Sequence, residues 1–278
     1  MITPDSNPWN EIIVNSWSSL IEALHNPTLI PIRHEEGNHC RSPYVFRGLA
    51  DDSWPLATSL ERLGTPPVLI ERSALRGFRK YSPPEIFHTE SEWELLAVAQ
   101  HNGLPTRVLD WTLSPLVAAH FATVERQYFS KNGVIWCINA SIIRDKFLTQ
   151  EMHESLHNEK AWVFDVHILA SLFNDLNDFD ILSAKDGDIC ALFEPPSIDA
   201  RIVNQLSILS VMNGPNKSHD LLLRKNAGIP GLVQRIIIDH RAKAEIRDML
   251  DQNNITERML FPGLPGLCDW LRRYYGPI

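Results

Sequence analysis

The order of helical and strand-like segments along the chain constrains the fold most. Helical periodicity dominates the first half, whereas short apolar runs typical of strands cluster from about residue 133 onward. These runs are GVIWCIN, CALFEPP, LSILSVM and LVQRIIID. Because strands and helices do not alternate regularly, the pattern predicts an α+β fold with a mixed or antiparallel sheet, not repeated βαβ units.

Local signals place several helices. SEWELLAVAQHNGLP has Ser91 as its N-cap and stops at Gly103. Ser114 followed by Pro115 marks another helix start, and the residues after it are apolar nearly all round, which predicts a buried helix. Further helices are predicted in SWSSLIEALHN, PVLIERSALRGFRKY and HRAKAEIRDMLDQNN, and a strand in PYVFRGL.

Length and composition favour one domain over residues 1–278, with a helical N-terminal extension at 1–40 and a candidate insertion at 145–190. No apolar run is long enough for a transmembrane helix, and the first residues do not resemble a secretory signal. We therefore expect a cytoplasmic protein that does not bind membranes.

Charge and cysteine usage limit the classes of partner. The net charge of −8 argues against sequence-independent DNA binding by a positively charged surface, although a local basic groove is compatible with it. The cysteines form no CxxC pair. His34 and His39 lie near Cys40, but three neighbours in a predicted loop are a weak metal signal, and we expect no metal.

Arg47 is the first candidate site residue, because an arginine in an apolar strand is costly unless it is paired. Its fixed donors suit a phosphate or a carboxylate, and Gly48 would let a ligand or a turn approach the backbone. The alternative is a structural ion pair with Asp51, Asp52 or Asp110.

Polar residues in three other segments are also candidates. Glu94, Gln100 and His101 fall on one predicted helix, as a polar stripe that either serves a site or faces water. The segment TRVLDWTLSP crowds polar groups before a helix N-terminus, which is a ready anion site or else an ordinary capped start. The polar and aromatic residues of this second segment are Arg107, Asp110, Trp111, Thr112 and Ser114. The third segment precedes a predicted strand and contains Arg201, Asn204 and Gln205.

Three of these segments resemble the FRG domain family, named for its Phe-Arg-Gly motif. They are YVFRGL, AVAQHNGLPTRVLDWTLSPLVAAHFA and DARIVNQLSILSV. The resemblance covers roughly Arg41 to Gly214, and RIIIDHRAKAEIRDMLDQNNITERMLFPGLPGL is similar to the C-terminal part of that family.

The order of motifs more distantly resembles mono-ADP-ribosyltransferases, in which one strand carries Arg-Gly, a second a Ser-Thr-Ser-like motif and a third a glutamate. The resemblance implies an ADP-ribosyltransferase-like fold and NAD as substrate. Arg47 would bind the pyrophosphate or the nicotinamide ribose, and Thr112 and Ser114 would support the nicotinamide end. Trp111 or Phe46 would stack on a ring, and Gly48 completes the binding motif.

The chain departs from that pattern at the glutamate, because Gln205 is the nearest positional candidate. A carboxylate would stabilise the oxocarbenium-like sugar as nicotinamide leaves, whereas an amide only orients ribose hydroxyls. Asp110 or Glu94 would then supply the charge, and Asp110, Glu94 or His101 the general base.

These resemblances imply an intracellular bacterial toxin or effector, of phage defence or a toxin–antitoxin locus, with a neutralising antitoxin protein as partner. The acceptor would be nucleic acid, with RNA favoured, or protein. The alternatives are a module that binds a nucleotide or phosphorylated ligand without turnover, and an NAD glycohydrolase that uses water as acceptor.

Overall fold

The computed structural model describes residues 8–25, 32–33, 40–87 and 89–276, so that His34 and His39 lie outside the described residues. The strands are β1 Glu11–Val14, β2 Ile32–Arg33, β3 Cys40–Arg41, β4 Tyr44–Leu49, β5 Leu109–Thr112, β6 Gly133–Asn139, β7 Phe164–Asp165, β8 Cys190–Glu194, β9 Ser207–Met212 and β10 Val233–Ile238. The α-helices are α1 Trp17–Leu24, α2 Pro67–Tyr81, α3 Glu92–His101, α4 Pro115–Thr123, α5 Ala140–Phe147, α6 Gln150–Asn158, α7 Val166–Leu172, α8 Leu176–Asp186, α9 Ala200–Gln205, α10 His219–Lys225, α11 Lys243–Gln252, α12 Glu257–Leu260 and α13 Leu264–Tyr275.

One eight-stranded sheet organises the chain, in the order β1-β10-β6-β4-β5-β9-β8-β7. The inner pairs are antiparallel, whereas the two edge pairs, β1 with β10 and β7 with β8, are parallel. Strands β2 and β3 form a separate antiparallel pair. The prediction of an α+β fold with a mixed sheet is therefore confirmed.

The sheet opens between β4 and β5. Over the described ranges these strands share a single register pair, Phe46 with Thr112. By contrast, β4 pairs with β6 along its whole length, and β5 pairs with β9 along its own. Continuing the antiparallel register from Phe46 and Thr112 would set Gly48 opposite Asp110, but pairing has already stopped there. The gap beside Arg47 thus arises because β4 and β5 diverge after this single pair.

Helix α4 packs directly on β4 at Gly48. A Cβ atom at Gly48 would lie 1.8 Å from the Ala118 carbonyl oxygen and 2.7 Å from the Ala122 amide nitrogen. The helix begins as predicted, since the Ser114 Oγ accepts a hydrogen bond from the Val117 amide at 3.3 Å and Pro115 is the first helical residue. The close approach that Gly48 permits is therefore that of a helix.

The candidate insertion at 145–190 is built into a hydrophobic core. Its helices and β7 contribute Phe164, Phe173 and Phe179 to a cluster that also contains Trp93 of α3 and Phe193 of β8. The N-terminal extension supplies an edge strand, β1, as well as the predicted helix α1. Within the described residues, no helix combines the length and apolar character needed to span a bilayer.

Candidate functional site

Two adjoining cavities occupy the opening in the sheet and share Arg47, Gly48 and Phe121. The small cavity, of about 130 Å³, is also lined by the aromatic residues Phe46 and Trp111 and by the polar residues Asp110, Thr112, Arg201, Gln205 and Ser207. The large cavity, of about 490 Å³, is also lined by Leu49, Ala50, Trp54, Pro55, Ala57, Arg62 and Glu125. A hollow of about 770 Å³ beside α6 is larger, but none of the predicted site residues lines it.

Arg47 lies at the junction of the two cavities. Its Nη1 donates to the Asp110 carbonyl oxygen at 2.5 Å and lies 3.9 Å from the Asp110 Oδ2. Its buried Nε has no hydrogen-bond partner within the described chain. Burial lowers the pKa of Arg47, Asp110 opposes that shift, and Arg62 adds to it. The Arg47 side chain is 16% exposed, and internal acids engage its guanidinium only in part.

The alternative ion pairs for Arg47 are used elsewhere. The Asp51 Oδ1 accepts hydrogen bonds from the Ser53 amide and hydroxyl, and Asp52 accepts one from the Asn132 side chain. Of the three aspartates named in that alternative, Asp110 is the one that forms an ion pair with Arg47, at 3.9 Å.

The Asp110 carboxylate is held at the edge of the small cavity. Its side chain is 55% exposed, and its Oδ2 accepts a hydrogen bond from the Gln100 Nε2 at 2.5 Å. The Gln100 Oε1 in turn accepts one from the Thr106 Oγ1 at 2.5 Å. This chain of hydrogen bonds fixes the carboxylate while leaving it accessible to a ligand.

Arg201 and Gln205 form the wall contributed by α9. The Arg201 Nη1 donates to the His101 carbonyl at 3.2 Å, and its guanidinium stacks 4.9 Å from the centre of the Phe261 ring. Its Nε is also buried and unpartnered among the residues described. The Gln205 Nε2 donates to the Leu260 carbonyl at 3.0 Å, so that α12 supports this wall.

The predicted pair Thr112 and Ser114 is divided by the structure. The Thr112 Oγ1 donates to the Gln205 carbonyl at 2.6 Å and accepts from the Ser114 amide at 3.0 Å, and Thr112 lines the small cavity. Ser114 is absent from both cavity linings, and its hydroxyl caps α4. Arg47 therefore meets the strand before the helix, not the helix N-terminus.

The aromatic residues predicted to stack on a ring, Phe46 and Trp111, both line the small cavity and expose only a small part of their side chains. Phe46 and Trp111 are both buried, and the Trp111 Nε1 donates to the Ser210 Oγ at 2.8 Å. Phe121 is only partly buried and lines both cavities. It is the most exposed of the three aromatic residues that line the small cavity, and nothing in the apolar sequence of α4 distinguishes it from core residues.

The three residues of the predicted polar stripe on α3 contact three different parts of the structure. Gln100 reaches Asp110, whereas the buried Glu94 accepts hydrogen bonds from the Thr89 amide and hydroxyl. The His101 Nε2 lies 2.6 Å from the Asp199 Oδ2, in the residue that caps α9. Neither Glu94 nor His101 lines a cavity beside Arg47.

Arg107, which adjoins the site in sequence, has a structural role. Its guanidinium pairs with Glu71 of α2 and Asp180 of α8, and these two carboxylates raise the pKa of Arg107 against the effect of burial. The side chain is buried and lines neither cavity. It ties two helices to the start of β5.

The charge of the site is opposite to that of the whole chain. Three guanidinium groups, Arg47, Arg62 and Arg201, line the cavities against two carboxylates, Asp110 and Glu125. The chain as a whole carries −8. Because a guanidinium presents fixed donors that match phosphate and carboxylate oxygens, the arrangement is suited to an anion.

The comparisons with known proteins bear on this region. The model of the FRG domain family matches residues 42–131, a stretch that holds Arg47, Gly48, Gln100, Asp110 and Thr112. The match supports the predicted relation to that family, although it ends before the expected limit at Gly214. Neither a curated protein nor a solved structure matches the chain.

Proposed function

We propose that this chain is an NAD-dependent ADP-ribosyltransferase. The observation that carries the proposal is a pair of adjoining cavities that meet at the partly buried guanidinium of Arg47. A dinucleotide has the matching form, because its anionic pyrophosphate joins two ring-bearing halves. The opening of a mixed sheet beside Arg47 supports an ADP-ribosyltransferase-like arrangement, which is part of the proposal.

Each half of NAD has a suitable cavity. The pyrophosphate would lie at Arg47, with Arg62 on the side of the large cavity. The nicotinamide ribose would occupy the small cavity, where Gln205 can orient hydroxyl groups. The adenosine half would lie in the large cavity, whose lining includes Trp54 as an apolar face for a base.

Asp110 is the group best placed for the chemical step. The bond between C1 of the ribose and the nicotinamide nitrogen breaks, and the electron pair leaves with nicotinamide. The Asp110 carboxylate stabilises the positive charge that develops on the sugar. The acceptor nucleophile then donates an electron pair to C1, and its proton passes to Asp110. This assignment gives Asp110 the role of the missing glutamate, while Gln205 orients the ribose.

Purified protein with NAD labelled in the adenosine half tests the proposal. Nicotinamide release and transfer of label to cell extract are measured for the wild type, Arg47→Ala and Asp110→Asn. We expect both variants to lower nicotinamide release by about 100-fold or more, as for loss of one electrostatic contact to a transition state. Arg241→Ala, which removes an exposed arginine outside both cavities, is the control.

Two outcomes would contradict the transferase. If the wild type releases no nicotinamide but binds NAD or a nucleotide, the chain is a binding module, which the neutral amide at Gln205 favours. If it releases nicotinamide without labelling any polymer, it is an NAD glycohydrolase. The roles of toxin or effector and of an antitoxin partner rest on the family resemblance alone.

A further inference from the structure

Arg201 lines the small cavity, and no carboxylate among the described residues balances its charge. Asp110, the acid in the same cavity lining, forms its ion pair with Arg47. The Oδ2 of Asp199, two residues before Arg201, lies 2.6 Å from the His101 Nε2 instead. The Arg201 Nη1 donates to the His101 carbonyl, and its buried Nε has no hydrogen-bond partner in the described chain. Because a buried N–H group without an acceptor is costly, an acceptor oxygen supplied by a ligand would stabilise this arrangement.

The Phe261 ring supports the Arg201 guanidinium. Its centre lies 4.9 Å from the Arg201 Cζ, which is a cation–π distance. The same ring meets that of Phe121 edge to face, with the two centres 6.2 Å apart. Arg201 and Phe121 both line the small cavity, whereas Phe261 lines neither cavity. Phe261 therefore contacts two cavity residues from outside the cavity.

The helices α12 and α13 fix the position of Phe261. The carboxylate of Glu257, the first residue of α12, accepts hydrogen bonds from the Arg273 guanidinium of α13 at 2.5 and 2.8 Å. These two side chains are only 7% and 9% exposed. A Cβ atom at Gly266 of α13 would lie 1.9 Å from the Phe261 carbonyl oxygen, so the two backbones are in close contact. The C-terminal helices, which lie outside the residues matched by the family model, thus hold one wall of the site.

We infer that Arg201 is a second ligand-binding cation of the site and that Phe261 is its positioning residue. The inference rests on the proposed function for the identity of the ligand. Arg47 and Arg201 line one cavity of about 130 Å³, so that one anionic group can accept hydrogen bonds from both guanidinium groups. In NAD this group is the phosphate next to the nicotinamide ribose, and Arg62 remains for the other phosphate on the side of the large cavity.

Binding of ADP-ribose by the full chain, measured by titration calorimetry, tests the assignment without turnover. Arg201→Met keeps an unbranched side chain on the Phe261 ring but removes the charge. We expect its Kd to rise about tenfold or more, as for loss of one hydrogen bond to a charged group. Arg224→Met is the matched control, because Arg224 also stacks on an aromatic ring, that of Trp9, but lines neither cavity. It should bind ADP-ribose as the wild type does.

A double-mutant cycle separates positioning from a general loss of structure. Phe261→Leu removes the ring and should raise the Kd about threefold, as for loss of a cation–π contact, whereas Phe261→Tyr keeps the ring and should bind as the wild type. If Phe261 acts through the guanidinium, adding Phe261→Leu to Arg201→Met should not weaken binding further. Fold-changes that multiply in the double variant would overturn the positioning role.

A wild-type Kd in Arg201→Met would overturn the assignment of Arg201 as a ligand-binding residue, as would a wild type that binds no ADP-ribose. Failure of the proposed function has a different signature. The wild type would then bind ADP-ribose with the expected dependence on Arg201 and still release no nicotinamide from NAD.

Discussion

Replacement of Gly48 by alanine tests the packing on which the site depends. The added methyl group would fall 1.8 Å from the Ala118 carbonyl oxygen, whereas distances under 3.0 Å are essentially never seen for a real Cβ. Both of its nearest neighbours are backbone atoms of α4, so no change of rotamer can relieve the overlap. The helix would have to recede by more than an ångström and carry Phe121 with it.

The loss in free energy of unfolding for Gly48→Ala should lie at or above the upper end of the range measured for overpacked cores. Inserting a methyl group into a well-packed interior costs about 1–3 kcal/mol when side chains can adjust, and here they cannot, so we expect about 3 kcal/mol or more. With an unfolding entropy of about 2.1 cal/mol/K per residue over 278 residues, that loss lowers the thermal midpoint by about 5 °C.

Urea unfolding followed by circular dichroism measures this loss. Gly77→Ala is the matched control, because Gly77 lies within α2 and a Cβ there would meet no atom within 4 Å. Alanine should stabilise that helix by about 0.5–1 kcal/mol. If Gly48→Ala unfolds at the wild-type urea concentration, α4 does not pack on β4 as described, and the placement of Phe121 in the site is wrong.

Two further predictions concern stability. Burial, followed by repulsion from Arg247 and Arg47 respectively, lowers the pKa of His120 and His219 to about 3. Unfolded histidine titrates near about 6.5, so below that pH the unfolded chain binds more protons, and we expect each histidine to cost about 2 kcal/mol between pH 7 and pH 5. Urea unfolding at both pH values should show a smaller loss for His219→Gln, and an equal loss would refute this. Glu71→Ala, which leaves the buried Arg107 with Asp180 alone, should cost about 3 kcal/mol or more by the same assay; a loss below about 1 kcal/mol would contradict it.

Local signals in the sequence predicted the elements whose causes are local. The Ser114–Pro115 helix start, the strand at 44–49 and the helix at 67–81 all lie where capping residues and periodicity placed them. The strand β1 lies within the extension that was predicted to be helical, and the sequence did not predict it. Its pairing partner, β10, is more than 200 residues away along the chain. A strand of four residues that pairs with a distant segment has too short a local sequence pattern to be predicted.

The candidate site was predictable in part for the same reason. Arg47 and Asp110 are polar residues within apolar patterns, and this contrast can be read directly from the sequence. Phe121 and Arg62 look ordinary in sequence and join the site only through packing. Gly48 does permit the close approach that its lack of a side chain predicts, but the approaching backbone belongs to α4.

The surroundings of Arg47 explain why this site should favour an anion over water. A surface arginine loses little when its counter-ion leaves, because solvent replaces the contact. Arg47 and Arg201 instead hold buried Nε atoms without partners in the described chain, and Asp110 lies 3.9 Å from the Arg47 Nη1 with its own hydrogen bond to Gln100. Buried charge that internal acids leave undercompensated is stabilised by an incoming anion more than exposed charge would be. Binding should therefore depend less on ionic strength than binding to a surface patch of the same charge.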